Sequence, residues 1–246
     1  MILGHILISI IEWIINSNKF NWMLNYLSSF DFVTSFVLKR QTAIKHVAFI
    51  MDGNRRYGRK HGLTCCKEPG CTKMYEMIKV CYLMGIKEVS FYAFSLKNFA
   101  RPAEEIEAMM NMIIKHKEHE IKGIKAQIRI IGRMDLLDDN VRNTMQEIVE
   151  RTRNNEDINV NIYFAYSAKN EIECGVSVLG NTNIKHRVDI LVRTSGERRL
   201  SDFMLKECAS GTRVEFVECL WPEFSILHLI LLFLKYNSEN MMYKPR

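Results

Sequence analysis

The sequence predicts an α/β fold: a single domain on a central, mostly parallel six-stranded sheet flanked by helices. Two observations predict it. Six short runs rich in β-branched and aromatic residues recur along the body of the chain, and helical patterns lie between most of them. No Gly/Ser-rich linker or internal repeat interrupts that order, and only four prolines occur in 246 residues.

The chain opens with MILGHILISIIEWIIN, whose apolar residues at 2, 3, 6, 7, 10, 11, 14 and 15 share one helix face. His5, Ser9, Glu12 and Asn16 take the other. The stretch is shorter than the ~20 apolar residues of a membrane span and lacks the cationic start of a signal peptide. Aromatics follow at Phe20, Trp22, Tyr26, Phe30, Phe32 and Phe36. Residues 1–43 are therefore expected to form an amphipathic helical segment. It either lies on a membrane or packs against the domain or a partner, and the folded domain spans 44–246.

The predicted strands are His46–Met51, Glu88–Ser95, Gln127–Gly132, Ile158–Tyr166, Val188–Val192 and Val214–Cys219. The clearest helical patterns are Glu104–Lys125 and Leu136–Arg153. In such sheets ligands bind beyond the carboxyl ends of the strands.

Composition narrows the function. Hydrophobic residues make up 48% and charged residues 25%, enough apolar material for a core. A net charge of +6 suits anionic ligands or membrane surfaces, but without a dense Lys/Arg block no nucleic-acid partner is expected. Seven scattered cysteines are an odd count without framework spacing, which argues against a disulfide scaffold. Cys65, Cys66 and Cys71 cluster, yet no second ligand pair for zinc stands nearby. His116 and His119, in KHKEHE, are expected on the solvated face of a charged helix. Neither a P-loop nor a GxGxxG pattern is present.

Three clusters carry chemistry. The first strand runs into Asp52-Gly53-Asn54-Arg55-Arg56, with Arg59 beyond. A strand end, a glycine and a helix start favour phosphate, and the arginines add charge-assisted bonds. Asp52 would repel phosphate unless a divalent cation bridges the two; the plainer alternative is a helix-capping Asp with solvated arginines. The fifth strand ends in Arg193-Thr194-Ser195-Gly196-Glu197-Arg198-Arg199-Leu200-Ser201-Asp202-Phe203, a second candidate anion site. Ser95, Asn98 and Arg101 follow the second strand.

Together these clusters resemble the cis-prenyltransferase family, in its eukaryotic dehydrodolichyl diphosphate synthase branch. The motifs are HVAFIMDGNRR (His46–Arg56), YAFSLKNF (Tyr92–Phe99), DILVRTSGERRLSDF (Asp189–Phe203) and LWPEF (Leu220–Phe224), and the likeness covers about 44–235. The resemblance implies an apolar substrate tunnel and Mg2+-dependent elongation of an allylic (farnesyl-type) diphosphate by isopentenyl diphosphate. The expected product is a long-chain polyprenyl diphosphate for dolichol synthesis and protein glycosylation. It implies that Asp52 holds Mg2+ on the starter diphosphate, amid Gly53, Asn54, Arg55, Arg56 and Arg59. Ser95 and Asn98 would assist ionisation and proton removal, and Arg101 would contact the starter diphosphate. Arg193, Arg199 and Ser201 would bind isopentenyl diphosphate, with Glu197 orienting the arginines. Met109, Met110, Met112, Ile113 and Ile114 would line one tunnel wall or simply pack the core.

Several positions depart from the family. The loop 63–70 is shortened, and Lys67 falls about where a histidine stands, able to bind phosphate as a point charge. Lys97 replaces a glutamate. The stretch from Tyr166 to Asp189 is short, so a helix there is expected to be lost or trimmed. Near the sixth strand, Arg213 or Val214 stands where bacterial members have a metal-binding glutamate, as in the eukaryotic branch. The chain ends without the Arg-x-Gly of single-subunit members. The resemblance then implies a Nogo-B-receptor-like accessory subunit, the alternative being a homodimer, with the apolar Ser225–Leu234 as interface or core helix. The expected location is peripheral, on the cytosolic face of the endoplasmic reticulum membrane. The alternative function is a catalytically weak family member that acts as a scaffold.

Overall fold

The computed structural model describes residues 44–63, 68–175, 177–179 and 186–242. The expected amphipathic segment 1–43, Cys65, Cys66 and Lys67 lie outside the described residues. Two compact units are present. One comprises Lys45–Tyr82 and Ile86–Phe224, and the other takes in Leu83–Gly85 and the chain from Ser225.

The first unit is built on a seven-stranded sheet. Its strands are β1 (His46–Ile50), β2 (Glu88–Ser95), β3 (Ala126–Gly132), β4 (Ile158–Tyr166), β5 (Ser177–Leu179), β6 (Ile190–Arg193) and β7 (Arg213–Phe216), in the order β5-β3-β4-β2-β1-β6-β7. Six strands are parallel, as the alternating pattern requires; β5 pairs antiparallel with β3. Every residue of β1 and of β6 is buried. A strand covered on both faces reads as a continuous apolar run, which is why HVAFI and ILVR were legible.

The helices are α1 (Asn54–Lys60), α2 (Glu68–Leu83), α3 (Ala103–Lys115), α4 (Asp139–Thr152), α5 (Ala168–Cys174), α6 (Leu205–Ala209) and, in the second unit, α7 (Ile226–Met242). On one sheet face Phe49 and Phe91 stack, with ring centroids 5.4 Å apart, and Trp221 joins them. On the other, Ala48, Ile50, Tyr163 and Leu191 pack with Phe203 and Met204. That second face also buries a polar network. Glu88 accepts from Arg129 at 2.7 Å and from Asn161 at 2.9 Å, and Asn161 also donates to Ser90. His46 Nδ1 lies 2.8 Å from the His186 carbonyl, which can only accept, so Nδ1 carries the proton and Nε2 accepts from Ser90 Oγ at 2.7 Å.

Three expectations need correction. The sheet has a seventh strand, β5, in the stretch where a lost or trimmed helix was expected; α5 also stands there, seven residues long. Predicted helix Glu104–Lys125 ends at Lys115. No apolar residue occurs between Ile114 and Ile121, so a longer helix would have no stripe to bury. His116 and His119 are therefore not on a helix face, and His119 stacks on Tyr75 with ring centroids 3.8 Å apart. Ser225–Leu234 leads into α7, in which Leu229 and Phe233 are buried, as the core-helix alternative has it.

Candidate active site

Strand order reverses between β1 and β6. From β1 the chain crosses to β2 on one side, while β6 leads to β7 on the other. Such a switch opens a crevice at the carboxyl ends of the two strands. The register sets Ile50 beside Arg193, so residues two beyond β1 meet the last residue of β6.

Asp52 and Arg193 meet there: Arg193 Nη2 donates to Asp52 Oδ2 at 2.8 Å. The Asp52 carbonyl is held by Thr194 Oγ1 at 2.7 Å and by the Trp221 N–H at 2.9 Å. Its Oδ1 accepts the Gly53 N–H at 2.7 Å. Partial burial raises the Asp52 pKa, but the hydrogen bond and charge of Arg193, with the Gly53 N–H, outweigh it and hold the carboxyl below its ordinary value. Asp52 is thus an ionised carboxylate whose side chain remains 35% exposed, while Arg193 is 3% exposed. Gly53 adopts φ +108, and a Cβ there would meet the Leu220 backbone at 3.0 Å. This glycine lets the chain turn from β1 into α1 against the LWPEF segment.

Arg193 has little freedom. Its Nη1 donates to Ser201 Oγ and to the Arg199 carbonyl, each at 2.5 Å, and only its Nε lacks a partner. The loop after β6 is strained, with φ +84 at Ser195, +51 at Ser201 and +63 at Asp202. Its Ser195 and Gly196 N–H groups bond to the carbonyls of Cys219 and Val217, so this loop presents side chains rather than those amides. The Arg199 guanidinium pairs with Glu197 and is exposed; it is the Arg199 carbonyl that reaches Arg193.

Arg56 spans the two clusters, donating to the Ser195 carbonyl at 2.9 Å. Arg55 and Arg101 converge on Glu105, at 3.8 and 3.6 Å. Arg59, one turn after Arg55 on α1, is exposed. Asn98 Oδ1 accepts the Ser95 N–H at 3.1 Å, closing the turn after β2. Asn54 Nδ2 donates to the Met51 carbonyl at 3.0 Å, and its buried Oδ1 has no partner. Gly70 of α2 packs directly on Asn54; a Cβ there would lie 2.1 Å from Oδ1.

A cavity of about 850 Å3 runs from Met51, Asn54 and Trp221 between α2, α3 and the sheet. Met109, Met112 and Ile113 line it, whereas Met110 and Ile114 pack in the core cluster around Phe94 and Phe164. Among the described residues no cluster of three His, Cys, Asp or Glu could hold a metal ion, and no helix is long and apolar enough to cross a membrane. Cys71 is buried, and burial pushes its thiol up to about 11, against thiolate ligation.

The family model described as "Putative undecaprenyl diphosphate synthase" matches residues 50–244. The chain belongs to the cis-prenyltransferase family. As a cis-prenyltransferase it is an enzyme of isoprenoid chain elongation. It is 44% identical over 198 residues to the dehydrodolichyl diphosphate synthase of Encephalitozoon cuniculi, covering 79% of this chain and 71% of that one. It is 31% identical over 258 residues to a dehydrodolichyl diphosphate synthase complex subunit of Schizosaccharomyces pombe, covering 93% and 97%. The crystal structure of lavandulyl diphosphate synthase from Lavandula x intermedia, in complex with dimethylallyl diphosphate, shares the fold. Its TM-score is 0.68 at 21% identity, over 78% of this chain and 94% of that one. In this cis-prenyltransferase, sequence reasoning missed Thr194, Glu105 and Trp221 as parts of the site. Thr194 and Trp221 sit inside recognised motifs. Glu105 carried one signal, standing four residues after Arg101, a helical pairing distance.

Proposed function

We propose that this cis-prenyltransferase condenses isopentenyl diphosphate with an allylic, farnesyl-type diphosphate in a Mg2+-dependent reaction, giving a long-chain dehydrodolichyl diphosphate. The observation that carries this reading is the junction of Asp52 and Arg193, which joins the two arginine-bearing strand ends in one crevice. The starter diphosphate lies on the Arg55, Arg56, Arg59 and Arg101 side. The isopentenyl diphosphate lies against Arg193, Arg199 and Ser201, with Glu197 holding Arg199. The cavity of about 850 Å3 leads away from this crevice and takes the growing chain.

The donor set fits Mg2+. One ionised, part-exposed carboxylate is the usual protein share of a Mg2+ site completed by water and substrate phosphates. Asp52 would hold the ion, which supplies charge neutralisation on the departing pyrophosphate. In the reaction the allylic C–O bond breaks and pyrophosphate leaves with the electron pair. The double bond of isopentenyl diphosphate attacks the allylic carbon, and loss of a proton leaves a cis double bond. The arginines stabilise the negative charge that collects on the leaving group, a preorganised electrostatic task. Ser95 and Asn98 stand at the turn after β2 to assist ionisation and proton removal, the departing pyrophosphate being the base that accepts the proton.

The S. pombe relative is described as a complex subunit, which supports a Nogo-B-receptor-like accessory subunit here too. With it go a peripheral position on the cytosolic face of the endoplasmic reticulum membrane and a role in dolichol supply for protein glycosylation. Incorporation of radiolabelled isopentenyl diphosphate, with and without a co-expressed accessory subunit, tests the reading. Asp52→Ala is expected to abolish turnover; normal incorporation by that variant overturns the assignment.

A further inference from the structure

The loop Arg199–Phe203 is held in a conformation that its backbone alone disfavours. Ser201 and Asp202 are consecutive non-glycine residues in the left-handed region, at φ +51 and +63, an arrangement that persists only where surrounding contacts impose it. Phe203 anchors the loop from below, stacked on Tyr92 with ring centroids 4.4 Å apart. The contacts above come from Asp202. The first turn of α5 has three N–H groups with no intrahelical partner, and Asp202 takes two of them. Its carbonyl accepts from Ala168 at 2.9 Å, and its Oδ1 accepts from Lys169 at 2.9 Å. Oδ2 accepts from Ser167 Oγ at 2.5 Å, and that same Oγ takes the third N–H, from Asn170, at 3.2 Å. Asp202 thus docks the loop onto the start of α5 by both backbone and side chain. With that docking the preceding residue, Ser201, has its Oγ 2.5 Å from Arg193 Nη1.

We propose that Asp202 is a positioning residue for the second diphosphate: its grip on α5 holds Ser201 and the Arg199 carbonyl on Arg193 and so sets affinity for isopentenyl diphosphate. This rests on the reading of that loop as the isopentenyl diphosphate site. Asp202 itself faces α5 and not the crevice, so its removal acts through the loop. Its loss should weaken one substrate and spare the other, whose arginines lie on α1 and just ahead of α3.

Calorimetric binding to the full chain tests this without requiring turnover. Asp202→Ala is expected to raise the Kd for isopentenyl diphosphate about tenfold, the effect of losing a charge-assisted contact, and to leave the Kd for farnesyl diphosphate within about twofold. Asp202→Asn keeps the acceptor for Lys169 and can donate to Ser167 Oγ, so it should recover most of the affinity. An unchanged Kd for isopentenyl diphosphate in Asp202→Ala, or an equal weakening of both ligands, overturns the inference. Should Asp202→Ala fail to fold, Ser167→Ala removes one of the two side-chain contacts and should show the same selective loss in smaller measure; equal effects on both ligands again count against the idea. Failure of the unsubstituted chain to bind isopentenyl diphosphate overturns the functional reading itself, a result distinct from normal binding that Asp202→Ala leaves untouched.

Discussion

Arg193 serves three partners with one planar guanidinium: Asp52, Ser201 and the Arg199 carbonyl. A lysine is a point charge and cannot make that fork. Arg193→Lys is therefore expected to lower kcat/KM by about a hundredfold or more, the range for losing a preorganised donor, and steady-state kinetics would check it. Buried His46 and half-buried Asp52 shape the acid response in separate windows. Burial lowers the His46 pKa, against weaker upward pulls from Glu88, the His186 carbonyl and Asp189. The folded state thus keeps the ring neutral while the unfolded chain takes up a proton near pH ~6.5. Its stabilising contribution is complete above that pH and is lost as pH falls from there toward the lower folded value. The depressed carboxyl of Asp52 contributes above the ordinary carboxylate range of about 4 and is lost only as pH falls through its folded value. Urea unfolding between pH 5 and 8 should show stability falling below about pH 6.5. A His46→Gln variant should be about 1–3 kcal/mol less stable at pH 8 and should show a flatter dependence. Asp52 and Arg193 were legible as residues because charged groups at strand ends stand out in an apolar sequence. Their mutual hydrogen bond was not, since it depends on the register of two strands about 140 residues apart.

Glycines separate elements that tolerate change from those that do not. At Gly132, φ is +149 and a Cβ would lie 1.8 Å from the Phe164 carbonyl oxygen; at Gly62, φ is +63 and nothing lies within 4 Å. Gly132→Ala is expected to cost more than about 3 kcal/mol, because backbone must move, and Gly62→Ala about 1 kcal/mol. Chemical denaturation of the two variants side by side would measure the difference. The Glu88–Arg129 pair sits within the sheet at 0% and 1% exposure, where removing one partner strands the other's charge. Glu88→Ala should cost about 3–5 kcal/mol. Strands such as β1 and β6 were legible because buried strands read as apolar runs. The end of α3 was not: Lys, His and Glu are all compatible with a helix, and what stops it is the lack of anything to bury after Ile114. The three-residue β5 has no periodicity to read and exists only by pairing with β3.

For the molecule as a whole, the cavity ties chain length to shape. On the proposed function, Met109→Trp narrows the space between α3 and the sheet and should shift products to shorter chains, read by chromatography of the dephosphorylated prenols. Unchanged chain lengths would break the link between this cavity and the growing product. Incorporation should also rise well above that of the chain alone when an accessory subunit is co-expressed, and equal activity without it would remove the need for one. Glu105 belongs to this level as well: it draws Arg55 of α1 and Arg101 ahead of α3 together, and although its spacing from Arg101 is local, no local pattern announces Arg55.

Local chemistry was written in the chain order: the motifs, their sequence, the strand runs and the family they indicate all depend on neighbours within a dozen positions. Contacts between distant segments needed the folded molecule. They include the Asp52–Arg193 junction, the bond from Arg56 to the Ser195 carbonyl, and the docking of Asp202 on α5. The reason is that each depends on strand register and helix packing, where a shift of one residue redirects every side chain. Such geometry is set by the summed packing of the whole core and not by any stretch of residues taken alone.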